Sequence, residues 1–168
     1  MRATARRNMR AALTAVQSVL PVPWDIDVFV HRLSSHRARR IVLVPWAFRD
    51  SGDSTSGMFV RSAAVDYIFY EETASPARRE QVIAHEVGHL LLQHTPELKD
   101  ASDRLLEALA PDVSPAIARR VLALSRTGYE DDDEAAAELF GTSLIQLGTA
   151  QPAPSEADEL GRLVEVLR

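Results

Sequence analysis

Apolar residues recur at helical spacing near the start of the chain and give way to short β-branched runs in its middle. Leu13, Val16 and Leu20 lie three or four positions apart, which predicts an amphipathic helix over residues 3–20. A second helix is predicted to begin at Asp25, whose carboxylate can cap it. Apolar runs bounded by turn-forming residues then predict three strands, at 41–46, 58–60 and 66–70.

The second half of the chain is predicted to be helical. Ser75 followed by Pro76 is typical of a helix N-terminus, and the apolar residues after it share one side of a helix. Later patterns predict helices at 98–109, 114–127 and 131–147, a linker at 151–154 and a last helix at about 155–168. The order of helices, a small sheet and more helices predicts an α+β fold. With 168 residues and no repeat, we predict one compact domain over 1–168, with its core at about 25–147.

Composition limits the chemistry and the cellular location. The chain has no cysteine, which excludes disulfides and thiolate metal ligands and favours a cytoplasmic protein. No stretch approaches the roughly 20 apolar residues of a membrane span. The arginine-rich start imitates a signal peptide, but Thr14, Gln17 and Ser18 interrupt its apolar run, so we favour an amphipathic helix.

Charge is unevenly distributed along the chain. The net charge is −5, with an acidic block at 130–134 and an arginine-rich front that comprises Arg2, Arg6, Arg7, Arg10, Arg32, Arg37, Arg39 and Arg40. A basic face can bind nucleic acid. No nucleic-acid-binding motif accompanies these arginines, so we interpret them as a solvated face and do not expect direct nucleic-acid binding.

The sequence HEVGH at residues 85–89 matches the HExxH pattern of zinc peptidases. His85 and His89 are one helical turn apart, so both imidazoles can reach a single metal ion. Glu86 then lies beside the ion, where its carboxylate can take a proton from water and later pass it to a leaving amine. The pattern therefore predicts metal-assisted peptide hydrolysis with Zn²⁺ as the cofactor. Two core histidines without a metal are the alternative, but this pair flanking a glutamate would pack poorly.

Histidines downstream of the motif do not supply an obvious third ligand. A metzincin has its third histidine at the position that Thr95 occupies. If the helix continued, His94 would point about 180° away from His85. We therefore interpret His94 as a packed or capping residue.

A downstream carboxylate remains as the third ligand, which predicts a gluzincin-like site. Glu134 and Glu138 lie one turn apart on a predicted helix, whose small alanines would let it pack closely on the HExxH helix. The residues alone leave both glutamates open, together with the acidic block that precedes them. Acids in a first helical turn also complement the helix dipole and can simply remain solvated.

The chain resembles the ImmA/IrrE-type metallopeptidases. The resemblance rests on SPARREQVIAHEVGHLLL at 75–92, the apolar strand before it and ExxAExFGTSLI from Glu134 onward. It implies a compact zincin-like fold in which His85, His89 and Glu134 bind zinc and Glu86 is the general base. Glu138 stands where this family has Asn or Asp.

The resemblance also implies a biological role. Members of this family act in the bacterial cytoplasm on a helix-turn-helix repressor, so we expect a selective zinc endopeptidase whose partner is such a regulator. The strands at 58–60 and 66–70 are both candidates for pairing with an extended substrate. Tyr67, Tyr70 and Tyr129 are possible oxyanion stabilisers, and we assign that role to none of them. The alternative is a non-proteolytic or toxin-like partner that binds the repressor and holds a structural zinc.

Overall fold

The computed structural model describes residues 3–47, 56–61, 64–94 and 131–151. Within these residues the fold is α+β, as the sequence predicted, with four α-helices and a three-stranded mixed sheet. In chain order the elements are α1 (Ala3–Val16), α2 (Ile26–His36), β1 (Arg40–Trp46), β2 (Gly57–Arg61), β3 (Val65–Glu71), α3 (Pro76–Leu92) and α4 (Asp131–Thr149). The helices predicted at 98–109, 114–127 and 155–168 lie outside the described residues. The single domain over 1–168 stays a prediction.

The two N-terminal helices confirm the predicted elements, with one boundary corrected. The α-helix α1 ends at Val16, and a turn of 3-10 helix follows at Gln17–Val19 instead of an α-helix as far as residue 20. Leu20 is extended, as a residue before proline prefers to be, and this ends the helix early. The Asp25 carboxylate accepts hydrogen bonds from the first backbone N–H groups of α2, so the predicted cap is confirmed.

The sheet has the order β1-β3-β2, which puts β3 in the centre. β3 runs parallel to β1 and antiparallel to β2. Both edges of β3 are therefore occupied. The prediction that the strand at 66–70 could pair with an extended substrate is wrong, because neither of its edges is available to a peptide. The other candidate, at 58–60, lies in β2 at the edge of the sheet.

Part of the arginine-rich front fixes the sheet to α2. Asp66 of β3 is fully buried, and its carboxylate is paired with Arg37, Arg39 and Arg61 at 3.0, 2.9 and 3.5 Å. A buried carboxylate requires such partners, since an unpaired charge away from water is costly. Arg37 and Arg39 thus have a structural use, and the expectation about nucleic-acid binding stays a prediction.

The HExxH motif lies on a buried helix, as predicted. The Ser75 hydroxyl accepts the backbone N–H of Arg78, and Pro76 occupies the first position of α3. The helix is buried from Val82 to Leu90 except for His85. It ends at Leu92, because Gln93 takes the left-handed backbone conformation with φ 59°.

Helix α4 packs closely on α3. A Cβ built on Gly88 would lie 3.0 Å from the backbone of Ala137, and one on Gly141 would lie 2.9 Å from the backbone nitrogen of His85. The two helix backbones therefore nearly touch, which confirms the close packing predicted from the small residues of α4. Among the described residues, no helix combines the length and apolar character needed to cross a bilayer.

Candidate metal centre and catalytic site

The two histidines of the motif meet on one face of α3. The Nε2 atoms of His85 and His89 lie 3.0 Å apart. His89 is fully buried, whereas the His85 side chain is 22% exposed to solvent. One of the two imidazoles is thus enclosed by the core and the other borders solvent.

Glu134, in the first turn of α4, brings a carboxylate to both imidazoles. Its Oε2 lies 3.3 Å from His85 Nε2, and its Oε1 lies 3.7 Å from His89 Nε2. Ligand atoms about 2.1 Å from a tetrahedral zinc ion are about 3.4 Å apart. The distances among the three side chains bracket that value, and their ligand atoms all fall within 4.8 Å of one another. The donor set of two imidazoles and one carboxylate fits Zn²⁺ and leaves one position open.

Glu138, the alternative third ligand, lies on the other side of His85. Its Oε2 is 3.4 Å from Nδ1, the nitrogen that faces away from His89. The Glu138 side chain is 75% exposed, and Nδ1 has no aligned hydrogen-bond partner among the described residues. The geometry therefore favours Glu134 over Glu138 for the position shared by both imidazoles.

Glu86 is buried between α3 and the edge strand β2. A hydrogen bond from the Phe59 backbone reaches its carboxylate, and Oε2 has no hydrogen-bond partner among the described residues. Burial, together with the negative charge of Glu134, raises the pKa of Glu86 to about 8. A buried carboxylate with an unsatisfied oxygen, on the same helix as two potential ligands, is chemically suited to proton transfer.

The close approach of β2 to Glu86 depends on Gly57, which sequence reasoning missed. A Cβ built on Gly57 would overlap Val82 Cγ1 and lie 2.7 Å from Glu86 Oε1. Because glycine has no side chain, it leaves room for this carboxylate in its present position. A turn-rich segment before a strand carries no signal for such a contact, because the neighbour is 29 positions away along the chain.

His89 is held in the neutral form that binds metals. Burial, together with the imidazoles of His85 and His94, lowers the pKa of His89 to about 2. A neutral imidazole keeps one nitrogen free to accept a cation, so His89 needs no deprotonation to act as a ligand.

The interpretation of His94 as a packed or capping residue agrees with the structure, but its side chain does not take the direction expected for a continuing helix. The helix does not continue, and the turn at Gln93 brings the backbone N–H of His94 within 3.0 Å of the His89 carbonyl oxygen. His94 Nδ1 then lies 3.2 Å from His89 Nδ1, and His94 Nε2 lies 3.3 Å from an oxygen of Asp133. Pro96 disfavours helical conformation in the residue before it, so the sequence did contain a signal that the helix ends near here. The exact position was not predictable, because the left-handed turn occurs at a glutamine, whereas glycine is the usual residue in such a turn.

The tyrosines gain no assignment from the structure. The guanidinium group of Arg79 stacks on the ring of Tyr70, and the distance from its Cζ to the ring centre is 4.7 Å. Arg79 also forms a salt bridge with Asp27. The ring of Tyr67 packs beside Phe69. Tyr129 lies outside the described residues, as does Glu130 of the acidic block.

The chain matches the model of a known protein family. The model of the IrrE N-terminal-like domain, Peptidase M78, matches residues 47–149, which is more than half of the chain. The match spans β2, β3, α3 and α4, the elements that carry the side chains of the site. No curated protein matched the chain.

Proposed function

The chain belongs to the IrrE N-terminal-like domain family of peptidases, and on this premise we propose that it is a zinc-dependent endopeptidase. One observation carries the proposal. His85, His89 and Glu134 converge on a common point, and the buried carboxylate of Glu86, on the same helix as the two histidines, is close enough to Glu134 to be affected by its charge. The family supports a metallopeptidase-type function, and the identity of the metal, the role of Glu86 and the substrate are our additions.

His85, His89 and Glu134 are the residues that would hold the metal. Two imidazoles and one carboxylate form a ligand set that zinc accepts in peptidases, and the absence of cysteine fits a catalytic site better than a cysteine-rich structural one. When bound, zinc acts as a Lewis acid toward the peptide carbonyl and makes water a nucleophile near neutral pH.

Glu86 is the residue that moves the proton. Its carboxylate is enclosed by β2 and α3 and accepts a backbone hydrogen bond from Phe59, which orients it before substrate arrives. We assign to it the removal of a proton from the attacking water and the delivery of that proton to the leaving amine. A fixed position matters because general-base catalysis requires hydrogen-bond distance to the transferred proton.

The edge strand β2 is the proposed docking strand for the substrate. It lies at an edge of the described sheet, and sheet edges are where extended peptides commonly pair. Glu86 lies against this same strand, in contact with Gly57 and Phe59. A peptide that pairs with β2 would therefore pass the general base.

We further propose that the substrate is a helix-turn-helix transcriptional regulator and that the protein works in the cytoplasm. This step rests on the resemblance to ImmA/IrrE-type peptidases. The sequence contains no cysteine, which is consistent with a reducing compartment.

Co-expression with a helix-turn-helix regulator encoded beside the gene tests the proposal. Intact mass should show two regulator fragments whose masses add up to the regulator plus one water molecule. The matched control is the His85→Ala/His89→Ala variant, with which the regulator should stay whole. A regulator that copurifies uncleaved with both forms would contradict proteolysis and favour a non-proteolytic binding partner.

A further inference from the structure

A row of three side chains extends from the candidate metal centre to the start of α4. His89 presents Nε2 to His85 and Glu134, and its opposite nitrogen, Nδ1, lies 3.2 Å from His94 Nδ1. The far nitrogen of His94, Nε2, lies 3.3 Å from Asp133 Oδ1. His94 therefore stands behind the candidate ligand and cannot share the same metal ion.

Proton positions in this row are linked. A neutral histidine that binds a metal through Nε2 carries its proton on Nδ1. His89 can donate that N–H to His94 Nδ1 when His94 carries its own proton on Nε2. His94 Nε2–H then faces Asp133 Oδ1 at 3.3 Å, where a carboxylate oxygen can accept it. The carboxylate at the end of the row thus favours the arrangement in which His89 Nε2 carries no proton.

The opposite arrangement would block the metal site. If His94 carried its proton on Nδ1, it would donate to His89 Nδ1, and the proton of His89 would move to Nε2. That arrangement would also set an unprotonated His94 nitrogen against the Asp133 oxygen, so that two acceptors would meet at 3.3 Å. Repulsion between them makes it the less stable alternative.

The backbone builds this row from two helix ends. The left-handed turn at Gln93 and the hydrogen bond from the His94 N–H to the His89 carbonyl place one imidazole against the other, with ring centroids 5.2 Å apart. Two consecutive residues in the first turn of α4 lie at the two ends of the row. Asp133 contacts His94, and Glu134 contacts His89 on the side that faces the candidate metal site. Docking of α4 on α3 therefore completes the ligand set and its support together.

We infer that His94 and Asp133 are positioning residues, which hold His89 in the orientation and proton state that bind the metal. The inference rests on the proposed function, in that His89 is taken as a metal ligand. Second partners of metal-binding histidines commonly affect metal affinity by about 10- to 100-fold.

Zinc affinity of the purified protein, measured by competition with a chromophoric chelator, tests this inference. His94→Ala should bind zinc about 10- to 100-fold more weakly than the parent. His94→Asn should stay close to the parent, because its amide oxygen can accept the His89 Nδ1–H. Asp133→Asn should weaken binding, whereas the matched control Asp131→Asn, which removes the same charge from the same exposed helical turn, should not.

Nitrogen-15 NMR of the imidazole rings measures how fast the ring N–H protons exchange with solvent. A general loss of stability would not by itself change this rate at His89 alone. In the zinc-loaded parent, His89 Nδ1–H should exchange slowly with solvent, and in zinc-loaded His94→Ala it should exchange rapidly. Equal exchange in the two proteins would overturn the inference, as would His94→Asn binding zinc as weakly as His94→Ala.

The variant His85→Ala separates this inference from the proposed function. If His85→Ala loses zinc while His94→Ala binds it like the parent, the positioning role is wrong and the metal site stands. If His85→Ala retains full affinity, the proposed metal site itself is wrong.

Discussion

Replacing Gly57 by alanine tests the contact that brings the edge strand to the general base. No described glycine has a positive φ, so alanine can adopt the backbone conformation of Gly57 and any loss must come from its new methyl group. That Cβ would overlap Val82 Cγ1 and lie 3.2 Å from Glu86 Cγ. The carboxylate is the end of a flexible side chain and can swing away, whereas valine in a helix has one strongly preferred rotamer.

The expected cost follows from these two neighbours. Overpacking a core by one methyl group costs about 1–3 kcal/mol. The lower chain entropy of unfolded alanine offsets roughly 0.5–1 kcal/mol of this. We therefore expect Gly57→Ala to lower the free energy of unfolding by about 1–2 kcal/mol.

A double-mutant cycle identifies the source of that cost. Val82→Ala should cost about 2 kcal/mol alone, because it removes buried methyl groups. It also removes the overlapping Cγ1 atom, so the double variant should be more stable than the sum of the single costs by about 1 kcal/mol. Urea unfolding of the metal-free protein, followed by circular dichroism, measures all four forms.

Zinc binding and cleavage should separate in Gly57→Ala. None of the three candidate ligands is among the nearest neighbours of the new methyl group, so zinc affinity should stay near that of the parent. Cleavage should fall, since misplacing a catalytic group by about 1 Å can cost about 10²-fold. Additive costs in the cycle, or a Gly57→Ala protein more stable than the parent, would refute the described contact.

Two further predictions concern the metal ligands. Elemental analysis should find one equivalent of zinc in the purified protein and none in the double variant His85→Ala/His89→Ala. A full equivalent of zinc in the double variant would contradict the assignment of these ligands. Glu134→Gln should weaken zinc binding much more than Glu138→Gln in a chelator competition, because only Glu134 lies near Nε2 of both imidazoles. The reverse order would move the third ligand by one helical turn.

Local signals in the sequence were enough for the helices and strands that carry the site. Asp25 and Ser75 cap the helices that they were predicted to cap, and the apolar runs at 41–46 and 66–70 form strands. These features depend on neighbours within a few residues, so a single sequence carries them. The HExxH spacing likewise fixes two imidazoles on one helix face without any long-range information.

Features set by distant contacts were not predictable in this way. The direction of His94 depends on a left-handed turn at Gln93, a residue type that seldom ends a helix in that conformation. The choice of Glu134 over Glu138 depends on how α4 is rotated against α3, which the pattern of alanines leaves open. The role of Gly57 depends on how closely β2 approaches α3, and no local pattern records that distance.

The variant Glu86→Gln tests proteolysis most directly. Glutamine keeps the shape of the side chain and one acceptor oxygen but cannot take a proton from water. Co-expressed with the neighbouring helix-turn-helix regulator, the variant should bind zinc and fold like the parent, yet cleave the regulator at least about 10²-fold more slowly by intact mass. Regulator fragments formed at the parental rate by a zinc-loaded Glu86→Gln protein would contradict the assignment of Glu86 as the general base.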